Sequence, residues 1–469
     1  MRHVVVMTAT SSVGLVSIFA VDALNLFYIS LLGQQELAAA IGYAATIMFF
    51  SISLCIGIAI AGAALVGRAL GAGEDERAKR LATSSIFYLL VLSSLFAALL
   101  FPSLRWCLEL LGAEGETLEM ALDFMQIVVP SIPLLGMGMM LGALLRAKGD
   151  PKRAMFVTLS GGAAALVLDP LFIFGFDMGI LGAATATVCV RAILVLVGLH
   201  GVHTVHRMLG APHLDEIRAN VPPFMTIALP AIATQLATPV GNAYVTSAIA
   251  EFGDDAVAGW AIVGRILPVA FGVIFALSGA VGPILSQNLG AKHFDRVTQA
   301  MRDALVFTLI YCISVWALLA IASPWIVGLF GATGEAAELV SLFCLIVAGS
   351  FLFNGALFVA NAAFNNLGFP FYATLFNWGR ATLGVIPFVA IGKAWGASGV
   401  MIGWGAGAVV FGIAAMVMAF RLIATLPARE AEREEDGRPN LPPTANSAFT
   451  SGKGAVFGIS SNTDAERRD

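Results

Sequence analysis

The stretch VVVMTATSSVGLVSIFAVDALNLFYISL, residues 4–31, is apolar over a length that can cross a bilayer, and it contains one acid, Asp22. A helix needs about 20 predominantly apolar residues to cross a hydrocarbon core about 30 Å thick. A carboxylate at such depth costs about 2.5 to 3.5 kcal/mol even on lenient insertion scales, so it is a candidate functional group. We therefore predict a transmembrane helix whose carboxylate gains and loses a proton.

The whole chain has the composition of a polytopic membrane protein. Its 469 residues are 58% hydrophobic and 12% charged, and the mean hydropathy is +0.87. The apolar runs are continuous rather than alternating, which favours helices over a barrel. We predict an all-α membrane protein with twelve spans, numbered in chain order: 4–31, 37–66, 81–101, 118–145, 154–175, 180–199, 223–250, 257–286, 303–330, 336–365, 371–392 and 396–422.

The basic residues near the span ends are concentrated on one side of the predicted membrane. That side holds the N-terminus and the even-numbered connections, with Arg68, Arg153 and Arg380 among its basic residues, whereas the odd-numbered connections hold Arg105 and Lys393. Basic residues favour the cytoplasmic side. We expect a multi-pass protein of the bacterial inner membrane with both termini in the cytoplasm.

The second half of the sequence repeats the first at a shift of about 220 residues. Leu-Gly-Ala at 70–72 aligns with Leu-Gly-Ala at 289–291, and Gly149-Asp150-Pro151 aligns with Gly368-Phe369-Pro370. Because each half contains an even number of spans, a parallel repeat about an axis along the membrane normal follows. We predict a six-helix lobe at 1–200, a cytoplasmic loop at 201–222, a second six-helix lobe at 223–422 and a disordered cytoplasmic tail at 423–469.

The two halves differ at their ionisable positions. Asp22 aligns with Asn242, and Asp169, the only other acid deep within a span, aligns with Ile386. Counted at 1.5 Å per residue, both acids lie about 9 to 16 Å below the outer surface. A polar cluster in the outer part of the first lobe is predicted, formed by Asp22, Asn25, Gln126, Asp169, Thr185 and Thr187.

Two neighbouring buried carboxylates would titrate as a unit with one pKa raised, which suits reversible proton binding. The alternative is that each acid only satisfies a backbone group or a buried arginine. For Arg191 and Arg265 we expect snorkelling or pairing with helix-end carbonyls, with a counter-ion role for Arg191 as the alternative. Pro230 and Pro239 make span 7 the candidate bending element, although static kinks would explain them equally well.

The sequence resembles the multidrug and toxic compound extrusion (MATE) transporters from about residue 8 to 420. The segments that carry the resemblance are VDALNLFYISLLGQQELAAAIG (21–42), GRALGAGEDERAKR (67–80), LRAKGDPKRAM (145–155), LDPLFIFGFDMGILGAATATV (168–188) and SQNLGAKHFDRV (286–297). The acids in spans 1 and 5 are similar to the DinF-type branch. The resemblance implies a two-lobed twelve-helix fold with a central cavity that exports organic cations or amphipathic drugs against H⁺ or Na⁺.

By the same resemblance, Asp22 would be the coupling acid of span 1, Asp169 its partner and Thr187 a ligand from span 6. Independently of the resemblance, the positions of Gln126, Asn25, Thr185 and Asn242 in their spans predict that they line the polar cavity. Many relatives have Asn where this chain has Ala165, and the loss of that oxygen favours H⁺ over Na⁺. The missing proline in the inner half of span 1 makes a kink there doubtful as a gate.

Other classes of function are disfavoured. The spans contain neither a nucleophile paired with a general base nor a metal-binding motif. We therefore expect no enzyme, no cofactor and no bound metal. We expect small-molecule substrates in a lipid bilayer, no nucleic acid, and a monomer. The alternative function is a flippase for lipid-linked oligosaccharide or another lipid, which would need several cationic groups in the central cavity.

Overall fold

The computed structural model describes residues 4–14 and 35–435, and the side chains of 4–14 and 40–431. These ranges are almost entirely helical, as the long apolar runs predict. The α-helices are α1 Val4–Gly14, α2 Gln35–Gly71, α3 Asp75–Leu110, α4 Gly115–Val128, α5 Ile132–Ala147, α6 Pro151–Pro170, α7 Gly179–Leu199, α8 Leu214–Ala250, α9 Asp254–Gly290, α10 Phe294–Leu329, α11 Gly334–Leu345, α12 Phe351–Leu367, α13 Pro370–Ala381, α14 Ile386–Gly392 and α15 Gly396–Glu435.

The predicted architecture of twelve spans in two lobes is confirmed. Spans 4 and 10 are each broken by a 3₁₀ turn, at Val129–Ser131 and Val347–Ser350. Span 11 consists of α13 and α14, and π turns extend spans 5 and 6 at Leu171–Gly175 and His200–Val205. Only the first part of span 1, α1, lies within the described residues.

The repeat seen in the sequence is also a repeat of the backbone. Gly149 and Gly368 both adopt the left-handed conformation, with φ of 86° and 92°. Two residues later, Pro151 and Pro370 begin α6 and α13, at the first helical position that proline favours. A left-handed φ is accessible to glycine without a steric penalty, which explains why both turns use it.

The described starts of spans 1 and 7 each lie in the core of the opposite lobe. Val4 and Met7 of α1 are buried in the hydrophobic core of the second lobe. Ile217 and Phe224 of α8 are buried in the core of the first lobe. Each lobe therefore receives the start of the other lobe's first span.

The predicted loop at 201–222 is largely helical in the structure. Only residues 206–213 lie outside helices, because span 6 continues through Val205 and α8 begins at Leu214. Tertiary contacts stabilise this earlier start: Ile217 is buried, and the hydroxyl of Tyr88 donates to its carbonyl. Pro222 and Pro223, at the predicted end of this loop, lie inside α8.

The second lobe also extends beyond its predicted end at residue 422. Helix α15 continues to Glu435, where composition predicted disorder from 423. Ile423 and Leu426 lie three residues apart on one helical face and are buried in the second lobe, and Arg429 lies 4.8 Å from the ring centroid of Phe369. Apolar spacing, rather than the charge that follows it, decides the fold of this segment.

The two lobes meet closely at the membrane side that carries the connections 72–74, 148–150 and 291–293, which we call the basic face; the other side is the opposite face. A Cβ added at Gly71 would overlap the backbone of Gln287, and one at Gly290 would overlap the backbone of Arg68. The amide of Gln287 also donates to the Ala147 carbonyl across the lobes. The repeated Leu-Gly-Ala segments thus form a pair of crossings at which only glycine fits.

Candidate functional site

Asp169 is a buried acid in the last turn of α6. Its exposed fraction is 2%, and it directly precedes Pro170 and the π turn at Leu171–Gly175. The start of α7 packs tightly on this turn, since a Cβ at Gly182 would overlap the Phe172 carbonyl. The acid is therefore enclosed by an irregular but well-packed end of span 5.

Thr185 and Thr187 lie on α7, which packs against α6. At 1.5 Å per residue, Asp169 and Thr187 lie about 9 and 12 Å below the opposite face. The hydroxyl of Thr187 donates to the Ala183 carbonyl at 2.9 Å, and that of Thr185 donates to the Leu181 carbonyl at 2.7 Å. With their protons used within the helix, both oxygens present lone pairs, so they can accept a hydrogen bond or ligate a cation.

The remaining predicted site residues lie on different surfaces or outside the described part of the chain. Gln126 on α4 and Asn242 on α8 are exposed, which suits groups that line a cavity. Asp22 and Asn25 lie outside the described residues, so the predicted meeting of Asp22 with Asp169 remains a prediction.

The prolines of span 7 lie in a continuous helix, α8. The hydroxyls of Thr234 and Thr374 both donate to the Pro230 carbonyl at 2.8 Å. Because Thr374 belongs to α13, its bond ties α13 to α8. These bonds hold α8 against α13 at Pro230, and the roles of Pro230 and Pro239 in gating remain predictions.

Arg191 on α7 is buried, with an exposed fraction of 7%. Its guanidinium donates to the carbonyl of Val128 at 3.0 Å and to the hydroxyl of Ser131 at 2.6 Å. Val128 is the last residue of α4 and Ser131 the last residue of the 3₁₀ break of span 4, where proline removes regular helical bonds. The expectation that Arg191 pairs with helix-end carbonyls is confirmed.

Arg380 is another buried arginine, and its predicted position at the cytoplasmic end of a span was wrong. It was counted among the cytoplasmic basic residues, yet it lies ten residues after Pro370 in α13 with an exposed fraction of 7%. Its guanidinium donates to the hydroxyl of Thr238 on α8 at 3.2 Å. The repeat could have shown that Arg380 lies within a span, because a shift of 219 residues aligns it with Gly161 of span 5.

Neutral amides lie near Arg380 in the second lobe. Asn377, one turn before Arg380, is 3% exposed and donates to the side chain of Asn361 at 2.8 Å. Arg265 is different, because it is an exposed residue of α9. Among the described residues, the buried amides Asn361 and Asn377 and the guanidinium of Arg380 thus belong to the second lobe.

At the basic face a cavity of about 360 Å³ lies between the lobes. It is lined by Gly71, Asp75, Lys148, Gln287 and Arg296, among others, and Lys148 pairs with Asp75 at 3.4 Å. This cavity lies at the closed crossing of the lobes and is distant from Asp169. Within the described ranges no group of three or more His, Cys, Asp or Glu residues is placed to hold a metal ion.

Two lobes of six spans, each with the start of the other lobe's first span in its core and with the buried Asp169 in the first lobe, define a secondary transporter built from parallel repeats. A family model named MatE matches residues 9–171 and 230–390, one match in each lobe. The chain belongs to the MatE family of membrane transporters, as the sequence motifs predicted.

Two relatives that match most of the chain are named for transport of different compounds. A protein of Shewanella oneidensis named "FAD transporter" is 30% identical over 82% of this chain and 87% of its own length. "Multidrug export protein MepA" of Staphylococcus haemolyticus is 24% identical over 81% of this chain and 84% of its own length. Among solved structures, an aspartate-to-asparagine mutant of the Vibrio cholerae MATE transporter VcmN superposes with a TM-score of 0.86 at 25% identity, covering 90% of this chain and 97% of that one.

Proposed function

We propose that this protein is a secondary active exporter that couples the exit of amphipathic organic compounds to proton entry through Asp22 and Asp169. The observation that supports this proposal best is the burial of Asp169, whose exposed fraction is 2%. The equivalent position of the second lobe holds Ile386, whose exposed fraction is 43%. A carboxylate in a membrane interior is costly when ionised, so its charge state strongly affects the conformation that holds it.

Proton binding supplies the differential affinity that alternating access requires. A ligand shifts a conformational equilibrium only by its preference for one state over the other. Protonation removes a buried charge and favours the state in which the acid is enclosed. Substrate binding then favours the ionised, more open state. The protein therefore binds the proton and the substrate alternately.

A proton suits the described residues better than a sodium ion. Na⁺ needs several oxygen ligands, and the position one turn before Asp169 is Ala165, which is buried and offers none from its side chain. Thr187 is the available hydroxyl ligand nearby, and it contributes lone pairs only. Sodium coupling is the alternative that the experiment below distinguishes.

The basic face is the cytoplasmic side in this proposal. It carries most of the loop lysines and arginines, as the positive-inside tendency requires. The close crossings at Gly71 and Gly290 would then separate the substrate site from the cytoplasm in this conformation. Substrate would leave towards the opposite face.

The substrates are organic cations or other amphipathic compounds, by similarity to the proteins named for multidrug export. Export of a flavin nucleotide is the second candidate, since the relative named "FAD transporter" is 30% identical over most of both chains. A lipid flippase would need several cationic side chains at the cavity.

Proteoliposomes with imposed gradients test the proposal. We expect a proton gradient alone to drive ethidium transport and a sodium gradient alone to drive none. Asp22→Asn should abolish the proton-driven flux while the protein is still expressed and folded. Full transport by Asp22→Asn, or flux driven by sodium alone, would refute proton coupling through this acid.

A further inference from the structure

Arg380 is a cation in the middle of span 11. Ten residues of helix from Pro370 correspond to a rise of about 15 Å, half of a hydrocarbon core about 30 Å thick. Its exposed fraction is only 7%. Charged side chains at this depth are rare and mark functional sites by default.

The guanidinium of Arg380 is incompletely bonded. An arginine side chain has five N–H donors, and one terminal nitrogen of Arg380 donates to the Thr238 hydroxyl at 3.2 Å. Its Nε is buried and has no hydrogen-bond partner among the described residues. Arginine donors left without partners in a buried place are costly, so a further acceptor is expected there.

A purely structural link between α13 and α8 does not require this charge. The same two helices are joined by neutral donors: the Trp378 indole donates to the Ala233 carbonyl at 2.9 Å, and Thr374 donates to the Pro230 carbonyl at 2.8 Å. Arg191 shows how this chain places an arginine for structure, because it donates to both a carbonyl and a hydroxyl of the span 4 break. Arg380 has the same burial without an equivalent set of acceptors.

We propose that Arg380 binds an anionic group, a carboxylate or phosphate, of the exported compound, with Thr238 holding the guanidinium in place. The planar fork of arginine matches both oxyanions and binds them by paired, charge-assisted hydrogen bonds. Thr238 lies one turn before the exposed Asn242 on α8. The Arg380–Thr238 pair is therefore close to an exposed polar side chain of the helix that crosses between the lobes.

This inference rests on the proposed transport function and narrows its substrate class. The buried acid Asp169 belongs to the first lobe and the buried, incompletely bonded Arg380 to the second. A compound with an acidic group would find its counter-charge in the second lobe, away from Asp169. Anionic or zwitterionic amphiphiles therefore join the substrate range.

Two xanthene dyes of similar shape and opposite charge test the assignment. Fluorescein is a dianion near neutral pH, and rhodamine 6G is a cation. We expect purified full-length protein to bind fluorescein and Arg380→Gln to bind it at least tenfold more weakly, while binding of rhodamine 6G changes less than twofold. Arg380→Lys, which keeps the charge and loses the fork, should recover part of the fluorescein affinity.

Controls separate recognition from folding. Arg191→Gln is matched in residue type and burial; it should lower thermal stability and should not distinguish the two dyes. Arg265→Gln tests the exposed arginine of α9, and it should leave fluorescein binding unchanged. The thermal midpoint of Arg380→Gln without ligand should be unchanged or higher, because an incompletely paired buried charge is removed.

Several results would overturn the assignment: no fluorescein binding by the wild-type protein, equal binding by Arg380→Gln, loss of both dyes together, or a specific loss in Arg265→Gln. Failure of the proton-coupling proposal is distinguishable. Asp22→Asn would then keep its proton-driven flux, whatever the dyes show at Arg380.

Discussion

At the break of span 4 the first lobe places a guanidinium, that of Arg191, against the Val128 carbonyl and the Ser131 hydroxyl. At the equivalent break of span 10 the second lobe has Ser350, whose buried hydroxyl has no partner among the described residues, and it packs closely against Gly405. One backbone feature is thus completed by a charged donor in one lobe and by close packing in the other. The repeat fixes where helices break, while each lobe fills the break with its own chemistry.

The same divergence governs the ionisable groups. Asp169 of the first lobe aligns with Ile386, and Arg380 of the second lobe aligns with Gly161. The fold therefore tolerates the absence of either charge. Charges that the fold does not need are the ones to connect with transport.

The largest effect is expected from neutralising the acid of the first lobe. Asp169→Asn should reduce proton-driven transport at least tenfold, because the side chain no longer changes its charge. Asp177→Asn is the matched control: it is exposed, lies in the loop after the same span, and its φ of 54° suits asparagine. Equal transport by the Asp169 and Asp177 variants would show that the buried acid has no role in coupling.

A second prediction concerns the crossings that the two lobes contribute alike. Gly290→Ala would place a Cβ against the Arg68 backbone, so the lobes should fail to close at the basic face and transport should fall several-fold. Gly279→Ala on the same helix meets nothing within 4 Å, and it should transport normally. Cysteine labelling from the basic face would report the open crossing, and normal labelling in Gly290→Ala would contradict this account.

Arg191 and Arg380 should contribute differently to the stability of the protein. Arg191→Met leaves the acceptors of the span 4 break without their donor, which we expect to cost about 1 to 3 kcal/mol. Arg380→Met removes a charge with a single hydroxyl partner, so its cost should be smaller or reversed. Thermal unfolding of both variants in the same detergent measures the difference, and an equal loss would show that both arginines are structural.

The smallest effect is expected at the turns that precede spans 5 and 11. Asp150 caps α6 by accepting from the Arg153 backbone at 3.1 Å, whereas the equivalent residue of the second lobe is the buried Phe369. Partial burial acts to raise the pKa of Asp150, but hydrogen bonds from Arg153 and His206 outweigh it and hold the pKa below its usual value.

A lowered folded-state pKa stabilises the protein above the unfolded-state pKa of about 4, and this contribution is lost as the pH falls through the folded-state value. Asp150→Ala should cost about 1 kcal/mol at neutral pH, as for other helix caps. The difference from the wild-type protein should shrink below about pH 4. A difference that stays constant with pH would assign the effect to the cap's shape rather than its charge.

Much of the fold could be predicted because hydrophobic length and glycine-proline turns are local signals. Gly149 and Gly368, spaced alike before Pro151 and Pro370, indicated both the repeat and the helix starts. The boundary near residue 214 was missed because it depends on Tyr88 and Ile217, residues distant in sequence that meet in the fold.

The site was only partly predictable for a related reason. Depth follows from counting residues, and the buried position of Asp169 agrees with that count. Direction does not follow: Arg380 was counted with the basic residues of the cytoplasmic side, yet it lies in the middle of span 11 and its side chain reaches Thr238. Which acceptor completes a buried guanidinium is decided by the packing of another helix.

The central claim is that an acid of the first lobe exchanges its proton for the substrate. Proton release on adding rhodamine 6G to the purified protein in a weakly buffered solution tests it directly. The account predicts release of about one proton per bound dye near the pH at which the acids titrate, and no release in Asp22→Asn that still binds the dye. Dye binding without proton release by the wild-type protein, or equal release by the variant, would contradict it.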